Sequence, residues 1–357
     1  MPKWATRLAI WGPLLVAGAL LVAYLLVHRP FASDSTELVQ VPLSEADPAL
    51  DRVGGLKYLG GLDIPRMGQN IGGLSGLRWD EASGRLLAIT DDARWVWITP
   101  IEDGNQLTGI AELEVGDLLG LEGEKLTGKE QGDSESLTRV DGGWLVGFER
   151  FHRVWLYRDL TKKPTTTGIL PIFNPGSLSD NAGLEAMATA GDSWIGCAQR
   201  APVKIFENCV RLPIEGNAIK EITTEFRPGN WPEYFAALPP DKLIELGGVP
   251  TDADALAEGT LVILFRSWSR TDSNRAAIVT YSPTDQRTEI ATLEPPLTVD
   301  NFEGIAVREK EGRTFLYIVS DDNFSSNQRT LLMKFEVVVP DGEAASPTAN
   351  TPPSSTP

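Results

Sequence analysis

One pattern, written five times, constrains this chain more than any other property. The segments GGLSGLRWDEASGRLLAITDD from Gly72, GDSESLTRVDGGWLVGFER from Gly132, NAGLEAMATAGDSWIGCAQR from Asn181, VPTDADALAEGTLVILFRSW from Val249 and DNFEGIAVREKEGRTFLYIVSDD from Asp300 align under one another. Each opens with a small or acidic residue, then gives a short alternating strand, a glycine-bearing turn and a longer apolar strand ending in charge. That is the pattern of a β-hairpin. Further strand-like runs follow most units, such as WVWITP from Trp95, VWLYRDL from Val154, VKIFENC from Val203 and LLMKFEV from Leu331. Three or four strands per unit, recurring along the chain, predict an all-β fold, a single β-propeller. The stretch between Glu185 and Asp252 is longer than the others and contains NWPEYFAALPPDKLIEL, so five repeats translate into five or six blades. Residues 53–65 have no hairpin partner of their own and are expected to pair with the strand from Leu331, closing the ring and removing its free edges. A doubly wound α/β fold is excluded because no run of helical length carries apolar residues at i, i+3, i+4 and i+7.

The ends differ from this middle. Residues 8–27, LAIWGPLLVAGALLVAYLLV, carry no charge and, at ~1.5 Å per residue, are long enough to span a bilayer core. Lys3 and Arg7 precede the run, which predicts a cytoplasmic N-terminus and a globular part outside the cytoplasm, periplasmic or extracellular. A long apolar run and the poor cleavage site Pro30-Phe31-Ala32 favour an uncleaved anchor; cleavage would release the protein. The expected organisation is a signal-anchor in 1–28, a linker in 29–49, the propeller in 50–340 and a Pro/Ser/Thr-rich tail in 341–357 that lacks the apolar content to fold. A formal net charge of −17 argues against nucleic acid as a partner, because phosphate-backbone binding draws on clustered Lys and Arg. The same acidity serves solubility or holds cations. The only two cysteines, Cys197 and Cys209, fall in segments that read as neighbouring strands, leaving a disulfide and two buried thiols as alternatives.

Antiparallel geometry turns the repeats into a site. The first residue of one strand lies beside the last residue of the next, so every hairpin delivers both to the same end of the ring. The opening positions are Ser75, Glu135, Glu185, Asp252 and Glu303; the closing ones are Asp91 with Asp92, Glu149 with Arg150, Gln199 with Arg200, Arg266, and Asp321 with Asp322. Carboxylates gathered this closely raise one another's pKa or recruit a cation. Oxygen donors from several loops suit Ca²⁺, with Asp91, Glu135, Glu185, Glu303, Asp321 and Asp322 as candidate ligands. Arg150, Arg200 and Arg266 offer donor forks that match a phosphate or carboxylate. The competing reading makes the same residues interblade ties, carboxylates bonding the next blade's N–H groups and arginines pairing with them. His152, in FERFHR, is the one histidine beyond the flank of the apolar run, and is either a base or ligand at the mouth or a turn histidine bonded to backbone. Gly73-Leu74-Ser75-Gly76 precedes a strand and makes Ser75 a poor nucleophile. Phosphate-loop, dinucleotide and zinc motifs are absent from the sequence.

The segments GGLSGLRWD, DSESLTR with GWLVGFERFHRVW, NAGLEAMA, and above all DNFEGIAVREKEGRTFLYIVSDDNFSSNQRTLLMKFEV resemble the bacterial "esterase-like activity of phytase" domain, over about residues 53–338. The resemblance implies a β-propeller related to the calcium-dependent alkaline phytases, usually exported, and favours six blades. Asp321, Asp322, Asn323, Gln328 and Arg329 stand where that family has its SDDNF and QR signatures, and Glu149, Arg150, His152 and Arg153 where it has ERxHR. The sequence departs from the pattern at PTDADAL, around Asp252 and Asp254, and lacks the lysine-rich and aspartate-rich loops of a site for a highly phosphorylated inositol. The functional expectation is a calcium-dependent hydrolase of phosphoric or other esters, with Glu149, Arg150, His152 and Arg266 as catalytic candidates and a small anionic or ester substrate. A non-catalytic propeller that binds a ligand or partner in the cell envelope is the alternative.

Overall fold

The computed structural model describes residues 38–65, 71–169, 183–198, 209–213, 236–237, 248–271, 273–284 and 286–338. Two short strands, β1 (Val39–Val41) and β2 (Arg52–Val53), flank β3 (Leu56–Asp63). The first four-stranded sheet is β4 (Leu74–Asp80), β5 (Arg85–Thr90), β6 (Arg94–Asp103) and β7 (Gln106–Asp117). The one helix among the described residues, the short α1 (Lys129–Gly132), leads into β8 (Ser134–Val140), β9 (Gly143–Phe148), β10 (Arg153–Tyr157) and β11 (Thr166–Ile169). The third sheet holds β12 (Leu184–Ala190), β13 (Ser193–Ala198), β14 (Cys209–Pro213) and β15 (Ala236–Ala237). The fourth holds β16 (Val249–Ala255), β17 (Leu261–Ser269), β18 (Ser273–Tyr281) and β19 (Arg287–Leu293). Last come β20 (Phe302–Lys310), β21 (Arg313–Ser320) and β22 (Leu331–Val337).

Within each sheet consecutive strands pair antiparallel, so each is a meander of the predicted hairpin and its followers. The first strands touch in cyclic order, β4 to β8, β8 to β12, β12 to β16, β16 to β20 and β20 back to β4, which makes them the inner wall of a propeller-like ring. Four sheets of four strands and one of six make up this ring among the described residues. The six-stranded one closes it. There β22 pairs with β3 from Leu331↔Asp63 to Val337↔Leu56, as the unpartnered residues 53–65 predict, and β1 adds to the other edge of β3.

Burial follows the layering. All six residues of β9 and of β13 are buried, because a second strand has a neighbouring blade over each face and keeps no polar side. The fourth strand β7 lies at the rim and mixes exposed with buried positions. The apolar clusters lie between blades, for example Leu87, Ile89 and Trp95 of the first sheet against Leu137, Val146 and Phe148 of the second. Cys197 and Cys209 are direct partners across β13 and β14 and form a disulfide.

A buried ion pair spans the inside of the ring. Arg78 of β4 gives its guanidinium to both oxygens of Asp252 on β16, at 2.9 and 3.0 Å, and also to the carbonyls of Met187 on β12 and Ile305 on β20. Asp252 Oδ2 accepts the N–H groups of Leu77 and Ile305 at 2.9 and 2.8 Å, and Asp254 Oδ2 accepts that of Val307 at 2.8 Å. Four inner strands are therefore tied through one cation. Among the described residues no helix is long and apolar enough to cross a membrane; the apolar run 8–27 and the tail from 341 lie outside them.

Candidate functional site

Every inner strand carries a β-bulge near its start. The ladder skips Gly76 in β4, Glu135 in β8, Glu185 in β12, Thr251 in β16 and Glu303 in β20. A bulge sets two residues against one and re-aims the extra side chain. The three bulged glutamates line one cavity of about 220 Å³. The second strands end at the same level: Asp91 N–H donates to Gly73 O at 2.9 Å, Glu149 N–H to Asp133 O at 2.7 Å and Asp321 N–H to Asn301 O at 2.9 Å. One backbone bond repeated in three blades thus brings three closing carboxylates to the same rim.

The cavity wall holds seven carboxylate side chains, of Asp91, Asp133, Glu135, Glu149, Glu185, Glu303 and Asp321, against two cations, Lys129 and Arg150, with Ser75 and Asn323 between them. Asp133, Glu135 and Glu149 each offer an oxygen within 4.8 Å of the other two. Lys129 Nζ bridges Asp91 Oδ2 and Asp133 Oδ1 at 2.6 and 2.8 Å, and Arg150 Nε donates to Asp133 Oδ2 at 2.7 Å. Ser75 Oγ donates to Glu135 Oε2 at 2.9 Å, and the Gly183 amide to Glu149 Oε1 at 2.6 Å. Arg266 pairs with Glu303 at 2.9 Å.

These partners do not compensate the wall. Burial first, then the charges of Glu149 and Asp133, push Glu135 well above the usual carboxylate range. Glu185 is raised by burial, by its hydrogen bond to Glu149 and by the surrounding carboxylates. Burial also raises Glu303 and Asp91, in spite of Arg266 and Lys129 respectively. Burial opposes the charge of Lys129, yet its bonds to Asp133 and Asp91 outweigh it and raise its pKa. Asp321 is pushed up to about 8, by burial and by Glu303, Asp91 and Asp322 against one backbone bond from Asn323. A carboxyl that binds its proton more tightly folded than unfolded stabilises the fold fully below its ordinary pKa, and that stability is lost as pH rises to the folded value. With cations chelated, stability is therefore expected to fall between roughly pH 4 and 8. Denaturant midpoints across this window should show a shallower fall for Asp321→Asn; an identical slope would contradict the arrangement.

The structure gathers most of the predicted residues and separates the rest. Ser75, Asp91, Glu135, Glu149, Arg150, Glu185, Glu303 and Asp321 line the one cavity. Asp322 is buried just behind the wall, its Oδ1 accepting the Phe324 N–H at 3.0 Å. Asp92 pairs instead with Arg94. His152 is buried beneath Gly183, where an added Cβ would come within 3.0 Å of its Nδ1 and 2.8 Å of Glu149 Cγ, and it does not line the cavity. Arg266 reaches the site only through Glu303. Gln199 and Arg200 lie outside the described residues.

Asp252 does not open onto the mouth, contrary to the repeat alignment. The bulge position of β16 belongs to Thr251, which puts Asp252 and Asp254 one step further in, where they bind Arg78 and backbone N–H groups as interblade ties. Asp133, Lys129 and Asn323 are site residues that the repeat did not single out. Asp133 precedes its strand, and Lys129 sits four residues before it on α1, a spacing that brings the two side chains together.

Two signature turns are held by their own side chains. In the turn after β9, Arg150 is left-handed at φ 55°, and Arg153 lies over the rings of Phe148 and Trp155 while donating to the Phe151 and Gln131 carbonyls. Arg153 thereby fixes the segment that carries Lys129 and Asp133. In the turn after β21, Asp321 and Asp322 accept the N–H groups two residues on, and Asn323 and Phe324 are left-handed. Asp300 ties the far side of that turn through the Arg329 N–H at 3.2 Å.

In sequence the chain matches no protein of curated function. Similar solved structures include an α-L-arabinofuranosidase from Podospora anserina in complex with cellotriose, at 10% identity and TM-score 0.44, covering 80% of this chain and 96% of that one. A thermostable family-43 glycoside hydrolase is similar at 10% identity and TM-score 0.45 over 79% and 96% of the two chains. A luciferin-regenerating enzyme is similar at 9% identity and TM-score 0.38 over 85% and 96%. Scores this low say nothing about activity. The phytase-like family model, described as "esterase-like activity of phytase", matches residues 69–324. Those residues hold the inner-wall strands β4, β8, β12, β16 and β20, the mouth carboxylates and the turn after β9, and the chain belongs to that phytase-like family.

Proposed function

We propose that the mouth is a Ca²⁺-dependent hydrolase site for an anionic ester, carried by a five-bladed propeller that residues 8–27 tether outside the cytoplasm. The observation that carries this reading is the wall itself, seven carboxylates facing two cations. The donor set fits a hard cation, being carboxylate oxygens from at least three blades with no histidine or cysteine in the cavity. Asp133, Glu135 and Glu149 would hold the ion, with Glu185 beside them. Bound Ca²⁺ would supply charge neutralisation and polarise the ester and a water.

The chain's own groups complete the chemistry. Arg150 and Lys129 stand on the same wall as hydrogen-bond donors for the anionic oxygens of a substrate. Glu185, raised well above the usual carboxylate range by burial and by its hydrogen bond to Glu149, is the protonated carboxyl that would donate to a leaving oxygen. Gly183 supports this pair by donating to Glu149 without a side chain to displace it.

The experiment is turnover of phosphomonoester and carboxylic-ester panels by the full chain, in Ca²⁺ and in chelator. Turnover that requires Ca²⁺ and falls by ~10²-fold or more in Glu149→Gln is the expected result. Calcium-dependent thermal stabilisation with no turnover on any substrate would reject the enzyme in favour of a ligand-binding propeller.

A further inference from the structure

Six large hydrophobic side chains stand exposed among the described residues, and five of them lie at the mouth end of the ring. Phe151 and Phe324 sit in the turns that follow β9 and β21, beside Arg150 and Asn323 of the cavity wall. Trp268, 62% exposed, lies near the tip of the β17–β18 hairpin, two residues beyond Arg266. Leu121 follows β7, whose Asp117 pairs with Arg94 at the mouth-side start of β6. Val39 opens β1 opposite Asp63, which in turn faces Leu331 at the mouth-side start of β22. The sixth, Ile101, is near the tip of the β6–β7 hairpin at the opposite end. Single exposed hydrophobics need no explanation, whereas their concentration on one rim does.

The chain path points the same way. The first described strand begins at the mouth end, and residues 28–38 separate it from the uncharged run 8–27. Fully extended, that connection reaches roughly 40 Å at ~3.6 Å per residue. A run of this length in a bilayer therefore tethers the chain from the rim that carries Trp268, Phe151 and Phe324, and aromatic side chains favour the membrane–water interface.

We propose that the mouth faces the lipid surface that holds residues 8–27, and that its ligand is a membrane-resident ester presented there. This rests on the tether and the calcium site proposed above. The net charge of −17 opposes approach to anionic lipid, so the surface it docks on is zwitterionic. The aromatic rim settles into the headgroup layer, and the acidic cavity opens onto the ester groups of that layer.

The test uses the full chain in phosphatidylcholine nanodiscs. The native cysteines are bridged, so Trp268→Cys, Leu121→Cys and Ile101→Cys each provide one site for a fluorophore, read against a quencher on the lipid headgroup. Quenching at positions 268 and 121 severalfold above that at 101 is the expected result. Equal quenching at all three, or strongest quenching at 101, would overturn the orientation, while calcium-dependent stabilisation of the same samples reports separately on the mouth site. A second arm compares phosphatidate at low mole fraction in the nanodisc with soluble glycerol phosphate at matched concentration. Confinement should favour the lipid on the order of tenfold or more in calcium-dependent turnover or thermal shift. Equal responses would overturn the ligand class and leave the calcium reading intact.

Discussion

Removing the guanidinium of Arg78 is expected to cost about 3–5 kcal/mol of folding stability, the price of leaving a buried charge without its partner. Arg78 is 2% exposed, and Asp252 opposite it is fully buried. Deleting the cation strands Asp252, together with the carbonyls of Met187 on β12 and Ile305 on β20. Domains have stabilities of about 5–15 kcal/mol in total, so Arg78→Ala should shift the denaturant midpoint by roughly a fifth of its value or more, or yield no folded protein. Asp252→Asn keeps an acceptor for the Leu77 and Ile305 amides and should cost less. A midpoint for Arg78→Ala within experimental error of the parent would show that the pair is dispensable to the ring.

The second large effect concerns calcium. Saturation at about a hundred times the dissociation constant stabilises a folded protein by ~2.7 kcal/mol. Glu135→Gln should abolish most of that increment, since Glu135 offers an oxygen within 4.8 Å of both Asp133 and Glu149, and burial and those two charges raise its pKa. In chelator the same variant should be more stable than the parent, because it removes a carboxyl raised by burial and by its neighbours' charges. The two signs are opposite, which separates loss of a ligand from general damage. A variant that keeps the full calcium-induced rise in melting temperature would place the ion elsewhere.

Much of the site was legible because its geometry is local. Glu135, Glu185 and Glu303 occupy the same position of the same hairpin, and a repeated local conformation brings repeated side chains to one end. Asp252 shows where that logic stops. Its segment aligns with the others, yet a one-residue difference in the bulge sends the carboxylate inward to Arg78, because a shift of one residue along a strand exchanges its faces. Asp133 and Lys129 lie before their strand, in a connection whose path depends on Arg153 packing over Phe148 and Trp155. Lys129 precedes the repeat altogether, and Asp133 falls inside it but off the shared opening position.

The sequence by itself determined the five hairpins and the acidic character of the mouth, since each depends on alternation and on residues near one another in the chain, and a strand at 53–65 without a local partner pointed to the closure of β3 onto β22. The tertiary structure alone decided which carboxylates meet, which one is spent on the Arg78 tie, and that Cys197 and Cys209 are bridged. Those outcomes depend on bulge phase and on neighbours contributed by other strands and other blades, which are contacts between residues far apart in the chain.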